Sequence, residues 1–403
     1  MRRTLILGAV ALVVLLAAGF FLFFQNSGEP SGDTSSGQGG GFFASLFPFN
    51  FGGGGGAAVD SGNGETPIVD ERPIPRLRQV SAEPVGGGFL FTSDRASTTI
   101  RYVERATGHI YETAADSLTA RRISNTTIPG VFETFWEDEN NLIIRYLTEN
   151  LDIETFAITL AEAAEEEQTV NGIFVPSWDR AALDPERETL FTVTRAQAGS
   201  SASLFRADGS NPRTVLASPI SSWVPLQSRN DLFLQTAPAP EVPGYLFRVS
   251  NQNLVRALGP ADGLMAVVSP SGRYILSSAN TERGIELSVF DTSSNEAQTL
   301  PLATLAPKCA FVSETPVRIF CGVPSEFPGG EYPTDWLLGR VAVSDDLWLI
   351  SLPDGAATFL AAPSEDYDVS LDIENVIVDE EGSYVGFTNK NDLTFWVFRT
   401  TDE

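Results

Sequence analysis

The chain of 403 residues has one histidine, two cysteines and two methionines, and it has half as many cations as anions: Lys+Arg 26 against Asp+Glu 52, a formal charge of −26. Each shortage removes a class of function. A lone histidine rules out multi-histidine metal sites, and two cysteines cannot build a zinc ribbon or an iron–sulfur centre. A surface this acidic repels phosphate backbones, which removes sequence-independent nucleic-acid binding. There is no D-x-[DN]-x-[DN]-G loop with a closing glutamate for calcium, and no G-x-S-x-G elbow for a hydrolase nucleophile. No metal and no cofactor is expected. Beyond the first 24 residues no useful 3.6-residue periodicity appears, so the remainder is not expected to be helical. Hydrophobic residues make up 42% of it, ample for a packed core, and whole-chain disorder is excluded.

One long hydrophobic run is present, Thr4 to Phe24, and it carries no charge. About 20 apolar residues span a bilayer core, whereas the apolar part of a cleaved signal peptide is about 7–15 residues. The run ends in Phe20, Phe21, Phe23 and Phe24 with no small-x-small cleavage site, and Arg2 and Arg3 precede it. Those features predict an uncleaved signal anchor over 4–24. They place the stub 1–3 in the cytoplasm and everything after the anchor outside the cell membrane. Residues 25–72 read as a Gly/Ser-rich flexible linker. The linker is interrupted by the aromatic island Phe42–Phe51, which reads as a sticky patch or as a second interfacial contact; it lacks the helical period and basic residues that the second reading wants.

From about residue 85 short apolar strands alternate with turn clusters, and the pattern repeats. The first turn of each unit is TSDRAS (Thr92–Ser97), WEDENN (Trp136–Asn141), LDPERE (Leu183–Glu188), QSRND (Gln227–Asp231), SPSGR (Ser269–Arg273), SETPV (Ser313–Val317) and DEEGS (Asp379–Ser383). The spacings are about 44, 47, 43, 42, 43 and 67 residues, against about 40–45 for a four-stranded propeller blade. The excess in the last interval is an insertion, 322–346, between the second and third strands of unit six. The seventh unit has three strands, and an open array with an unpaired edge is a liability. The spare strand Ile74–Pro84 lies just before unit one and can complete the seventh. The expected fold is therefore all-β: a seven-bladed β-propeller over 73–403, closed by an N-terminal strand.

The turn Ser269–Tyr274, with its degenerate relatives Asp184–Leu190 and Asp379–Val385, resembles the turns of WD40/TolB-type propellers. The overall plan, with IRYVERATGHIYE (Ile100–Glu112) in the first blade and YPTDW…SDDLW (Tyr332–Trp348) late, is similar to that of uncharacterised membrane-anchored bacterial propeller proteins. The resemblance covers nearly the whole chain and implies fold more than function. Trp-Asp dipeptides are missing at the strand ends, and Trp178-Asp179 reads as part of a first strand, so no WD40-specific partner is implied.

Candidate functional residues are few. His109 lies in the turn between the second and third strands of blade one and reads as an exposed turn residue. Cys309 and Cys321 each sit six residues from a hairpin centre near Thr315. A symmetric hairpin would face them across strands within reach of a disulfide; two buried thiols are the competing reading, and a one-residue change of register separates the two. The acidic runs Glu137–Glu139 and Asp379–Glu381 read as solvated turns. The insertion carries Phe327, Tyr332, Asp335, Trp336, Arg340, Asp345 and Asp346, an aromatic and charged mixture of the kind found at binding hot spots. A structural reading competes here too: Tyr332 and Trp336 pin the loop, and WLLGRVAV forms an extra hairpin. The expected function is a scaffold that binds a protein or cell-envelope partner through the upper face, with no catalysis assigned. The alternative is a carbohydrate-active hydrolase using carboxylates in the central pocket, which needs two acids about 5–10 Å apart.

Overall fold

The strand-forming segments, rich in β-branched and aromatic residues, pair antiparallel with their immediate neighbours in sequence and so form small meanders. A four-stranded meander has two apolar faces, and both must be covered. The computed structural model, which describes residues 73–92, 97–160 and 169–401, solves this by setting seven such sheets side by side around a hub. The anchor and linker expected over 1–72, the island Phe42–Phe51 and most of Leu160–Gln168 lie outside the described residues. Among the described residues no helix is long and apolar enough to cross a membrane.

The blades span residues 85–122, 131–174, 180–218, 223–262, 265–299, 309–361 and 373–399. The last of these has three strands of its own, Ile373–Val378, Tyr384–Asn389 and Phe395–Arg399. Its fourth is Leu77–Gln79, with Leu77 opposite Phe398 and Gln79 opposite Trp396. The spare N-terminal strand thus closes the ring. Hydrophobic clusters lie between neighbouring blades: Val85, Leu90, Ile100 and Tyr102 of blade one pack with Phe395 and Val397 of blade seven. Second strands, covered on both sides, are nearly continuously buried, as in Val317–Pro324 and Tyr384–Asn389.

The repeated turn has a common mechanism. In blade five the Ser269 hydroxyl accepts from the Tyr274 amide while Gly272, at φ +79°, donates its amide to the Ser269 carbonyl. In blade seven Asp379 and Gly382 do the same, with Tyr384 donating to the Asp379 carboxylate. Blade three uses Asp184, but Arg187 holds the left-handed position at φ +61°. A side chain is tolerated there because it is put to use. The Arg187 guanidinium donates to the Trp136 carbonyl of blade two and lies 4.4 Å from the Phe89 ring of blade one. Burial of that guanidinium pushes its pKa down to about 10.

Because the sheets are antiparallel meanders, every first strand runs from one rim to the other in the same sense. First-to-second turns therefore share the lower face with third-to-fourth turns, and second-to-third loops share the upper face with the blade-to-blade connections. Trp178 and Asp179 belong to such a connection, just before the first strand Arg180–Leu183, and not to the strand as expected.

Candidate functional site

The seven first strands enclose a central channel of about 1040 Å³. Leu226, Val267, Phe311 and Val376 give it apolar walls. Its charged lining residues are Arg180, Asp184, Arg187, Glu374 and Lys390. Asp184 follows the last residue of a first strand and Glu374 is the second residue of another, so the two carboxylates stand at opposite ends. Asp184 accepts the Glu188 and Thr189 amides, and Glu374 is paired with Lys390 at 3.2 Å. The channel lining holds no convergent acid pair among the described residues.

The insertion overhangs the upper mouth. The second strand of blade six ends at Pro324 and the third starts at Asp345. Between them a single helical turn, Thr334–Leu337, is followed by irregular chain and not by the extra hairpin that WLLGRVAV suggested. The helix is short because Pro333 and Gly339 bracket it. Thr334, Trp336, Leu337 and Leu338 all line the channel.

The loop is fixed by a buried polar knot in which Trp336 and Asp345, both singled out by sequence, meet Lys308 and Asp372, which were not. Lys308, fully buried in a 3₁₀ turn before blade six, places Nζ 2.6 Å from Asp345 Oδ2 and 2.5 Å from Asp372 Oδ1. Trp336 Nε1 donates to the same Asp372 oxygen at 2.8 Å, and the Val343 amide donates to Asp372 Oδ2. The Lys308 and Lys390 ammonium groups each lie 5.1 Å from the Trp336 ring centre. Two carboxylates share one buried cation here, and Asp345 Oδ1 has no partner. Burial therefore pushes the Asp345 carboxyl up to about 6, against the pull of Lys308.

These contacts divide the seven insertion residues that the sequence singled out. Tyr332, Trp336 and Asp345 are buried, so they are anchors and not an exposed hot spot. Phe327 is half-buried, edge-on to Tyr332 at 5.1 Å. Asp335 accepts the Glu331 amide and pairs with the exposed Arg340 at 3.1 Å, and those two partners hold its carboxyl below the usual range. Burial raises the half-buried Asp346, and Glu365 and Asp366 add to the shift. The large apolar side chains that the loop presents to solvent are Leu337 and Leu338, 42% and 60% exposed. Sequence reading placed both only within the WLLGRVAV segment expected to form a hairpin. Lys308 and Asp372 were equally silent, lying 64 residues apart on separate blade connections.

His109 is half-buried rather than exposed, within 3.5 Å of Arg122 and 3.3 Å of Thr127. Cys309 and Cys321 lie directly opposite one another and are joined by a disulfide, with Cα atoms 4.1 Å apart. The hairpin is not symmetric: its tip is the pair Thr315-Pro316, closed by Glu314 opposite Val317. That tip alone would set Cys309 against Gly322. A bulge between Phe311 and Ser313 shifts the register by one residue and restores Cys321 as the partner. The acidic turns are structural, with Asp138 Oδ1 accepting the Asn140 and Asn141 amides.

A seven-bladed β-propeller with an overhanging insertion is the class of protein that this geometry defines. No protein-family model matches the chain, and no curated protein resembles it in sequence. Solved propellers do resemble it. An oligogalacturonate lyase in complex with manganese superposes with a TM-score of 0.50 at 10% identity, over 81% of this chain and 98% of that one. The oligogalacturonate lyase of Vibrio parahaemolyticus gives 0.50 at 9% identity, over 78% and 97%. TolB from Acinetobacter baumannii gives 0.38 at 9% identity, over 77% and 65%. At such identities the likeness is one of fold alone.

Proposed function

We propose that this chain is a membrane-tethered scaffold whose propeller stands outside the cell membrane and holds a protein or cell-envelope component on its upper face. The observation that carries the reading is the pair Leu337 and Leu338, held in solvent at the channel mouth by a loop pinned through Trp336. An ordered apolar pair on a rigid element is what a binding surface needs, since little side-chain and loop freedom is then lost on association. The charge-free run Thr4–Phe24 behind Arg2 and Arg3 supports the tether and its orientation. A hydrolase finds less support, because Asp184 and Glu374 sit at opposite ends of the channel and each is already bonded.

Site-specific photo-cross-linking in intact cells tests this. A photoreactive residue is placed at Leu338 of the full chain, with a second variant carrying it at Glu380 on the lower face. The reading expects a discrete cross-linked partner from position 338 and none from 380. Equal products from both positions, or none from 338, overturn it.

A further inference from the structure

We infer that the occupant of the upper mouth is an extended polypeptide segment, basic in character and carrying at least one apolar side chain. This rests on the scaffold reading above and adds the chemistry of the partner.

Two loops meet at the mouth. Ala237 and Pro238, in the second-to-third loop of blade four, line the channel together with Leu337 and Leu338 of the insertion. Asn280 of blade five locks these loops together, its Nδ2 donating to the Pro240 carbonyl at 3.0 Å and to the Tyr332 carbonyl at 2.7 Å. The result is an apolar lip on a fixed frame. Below it the channel offers about 1040 Å³ between apolar walls, room for a side chain entering from above.

The rim around the lip is anionic. Glu241 follows Pro240, Glu282 lies two residues past Asn280, and Glu326 and Glu331 are on the insertion; all four are exposed. Of the cations at this end, Arg340 is committed to Asp335 and Lys390 to Glu374, leaving Arg283 beside Glu282 and Arg180 at the start of its strand in the channel lining. The whole chain adds −26 in the same sense. Such a field draws cationic partners and repels nucleic acid and anionic lipid headgroups. Cations interspersed with an apolar anchor over a few ångströms are what a lysine- or arginine-containing peptide supplies, and an apolar lip with a polar rim is the usual anatomy of a peptide-binding surface.

The test uses the full chain in zwitterionic nanodiscs, with empty nanodiscs as the blank. The probe is a fluorescent heptapeptide of six lysines around one central leucine, read by anisotropy at two salt concentrations. Comparison probes replace the leucine by serine, or every lysine by glutamate. The lysine–leucine peptide should bind, weaken with salt, and lose at least tenfold in affinity on Leu337→Ser/Leu338→Ser. A Glu282→Gln/Glu331→Gln variant should bind more weakly with a flatter salt dependence. Both variants alter exposed side chains, and unchanged thermal unfolding confirms that each is folded. Equal binding by the serine variant, or equal binding of the glutamate peptide, overturns the inference. Photo-cross-linking from position 338 keeps the two readings apart. A cross-linked partner with no peptide binding leaves the docking surface standing and removes the basic segment, whereas absence of both removes both.

Discussion

The seam between blades one and seven and the insertion on blade six both join distant stretches of chain, and they do so by opposite means. At the seam, Gly88 lets the first blade approach so closely that a Cβ there would sit 2.5 Å from the Phe395 ring. Apolar packing around Phe395 and Val397 fills the rest. Backbone hydrogen bonds from Leu77–Gln79 finish the sheet, and Arg78 extends across to the Ala114 carbonyl of blade one at 2.9 Å. The insertion has almost no sheet to pair with, and it is held by Lys308, Asp345, Asp372 and Trp336. The seam derives stability from area removed from water and from ladder hydrogen bonds. The knot derives a single geometry from buried charge, whose attraction repays desolvation only when every partner is in place. This chain thus closes its ring with apolar surface and holds its insertion with buried ions.

That contrast can be broken from either side. Deleting Ile74–Pro84 removes the outer strand of blade seven and opens the ring. We expect the largest effect of all, loss of the cooperative transition in thermal unfolding, and an unchanged melting curve would refute closure by this strand. Lys308→Met strips the cation from two buried carboxylates and should cost about 3–5 kcal/mol in denaturant unfolding. A cost below about 1 kcal/mol there would show that the knot is hydrated and not buried. Gly88→Ala drives a methyl into the Phe395 ring and should cost about 1–3 kcal/mol, measured in the same way. No loss would mean that the seam is looser than the 2.5 Å approach implies.

The effect of Asp345→Asn depends on pH and is the smallest of the four only at acidic pH. The folded carboxyl, at about 6, holds its proton more tightly than an unfolded aspartate near 3.9 does. The stability contributed by this group is therefore full below about pH 4, falls as pH rises towards about 6, and is flat above. The amide variant escapes that loss. It should match the wild type near pH 4 and exceed it by about 1–3 kcal/mol at pH 7. A difference independent of pH would show that Asp345 titrates normally. Together the Lys308 and Asp345 variants sharpen the comparison, since one removes the scarce charge of the knot and the other its surplus.

Seven blades, the insertion in the sixth and the closing strand were all legible, because each rests on local pattern. A turn such as Ser269–Tyr274 carries its own hydrogen bonds within six residues, and alternation marks a strand wherever it pairs. The two cysteines were half legible: counting from Thr315 reached the right partner, but only because the Phe311–Ser313 bulge cancels the true position of the tip. The insertion was located by length, while the roles of its members stayed open between binding and pinning. Of the two readings open for Trp336, hot spot and anchor, burial favours the anchor; Leu337 and Leu338, read only as part of a WLLGRVAV hairpin, face solvent.

Sequence by itself thus determined the number of sheets, their order and the place of the extra loop, since a blade is a local meander whose period survives in the chain. Tertiary structure alone decided which side chains of that loop are spent inward and which are offered. That choice depends on Lys308 and Asp372, which precede neighbouring blades and meet only once blade seven packs against blade six. Burial is a property of the assembled hub, and no spacing along the chain records it.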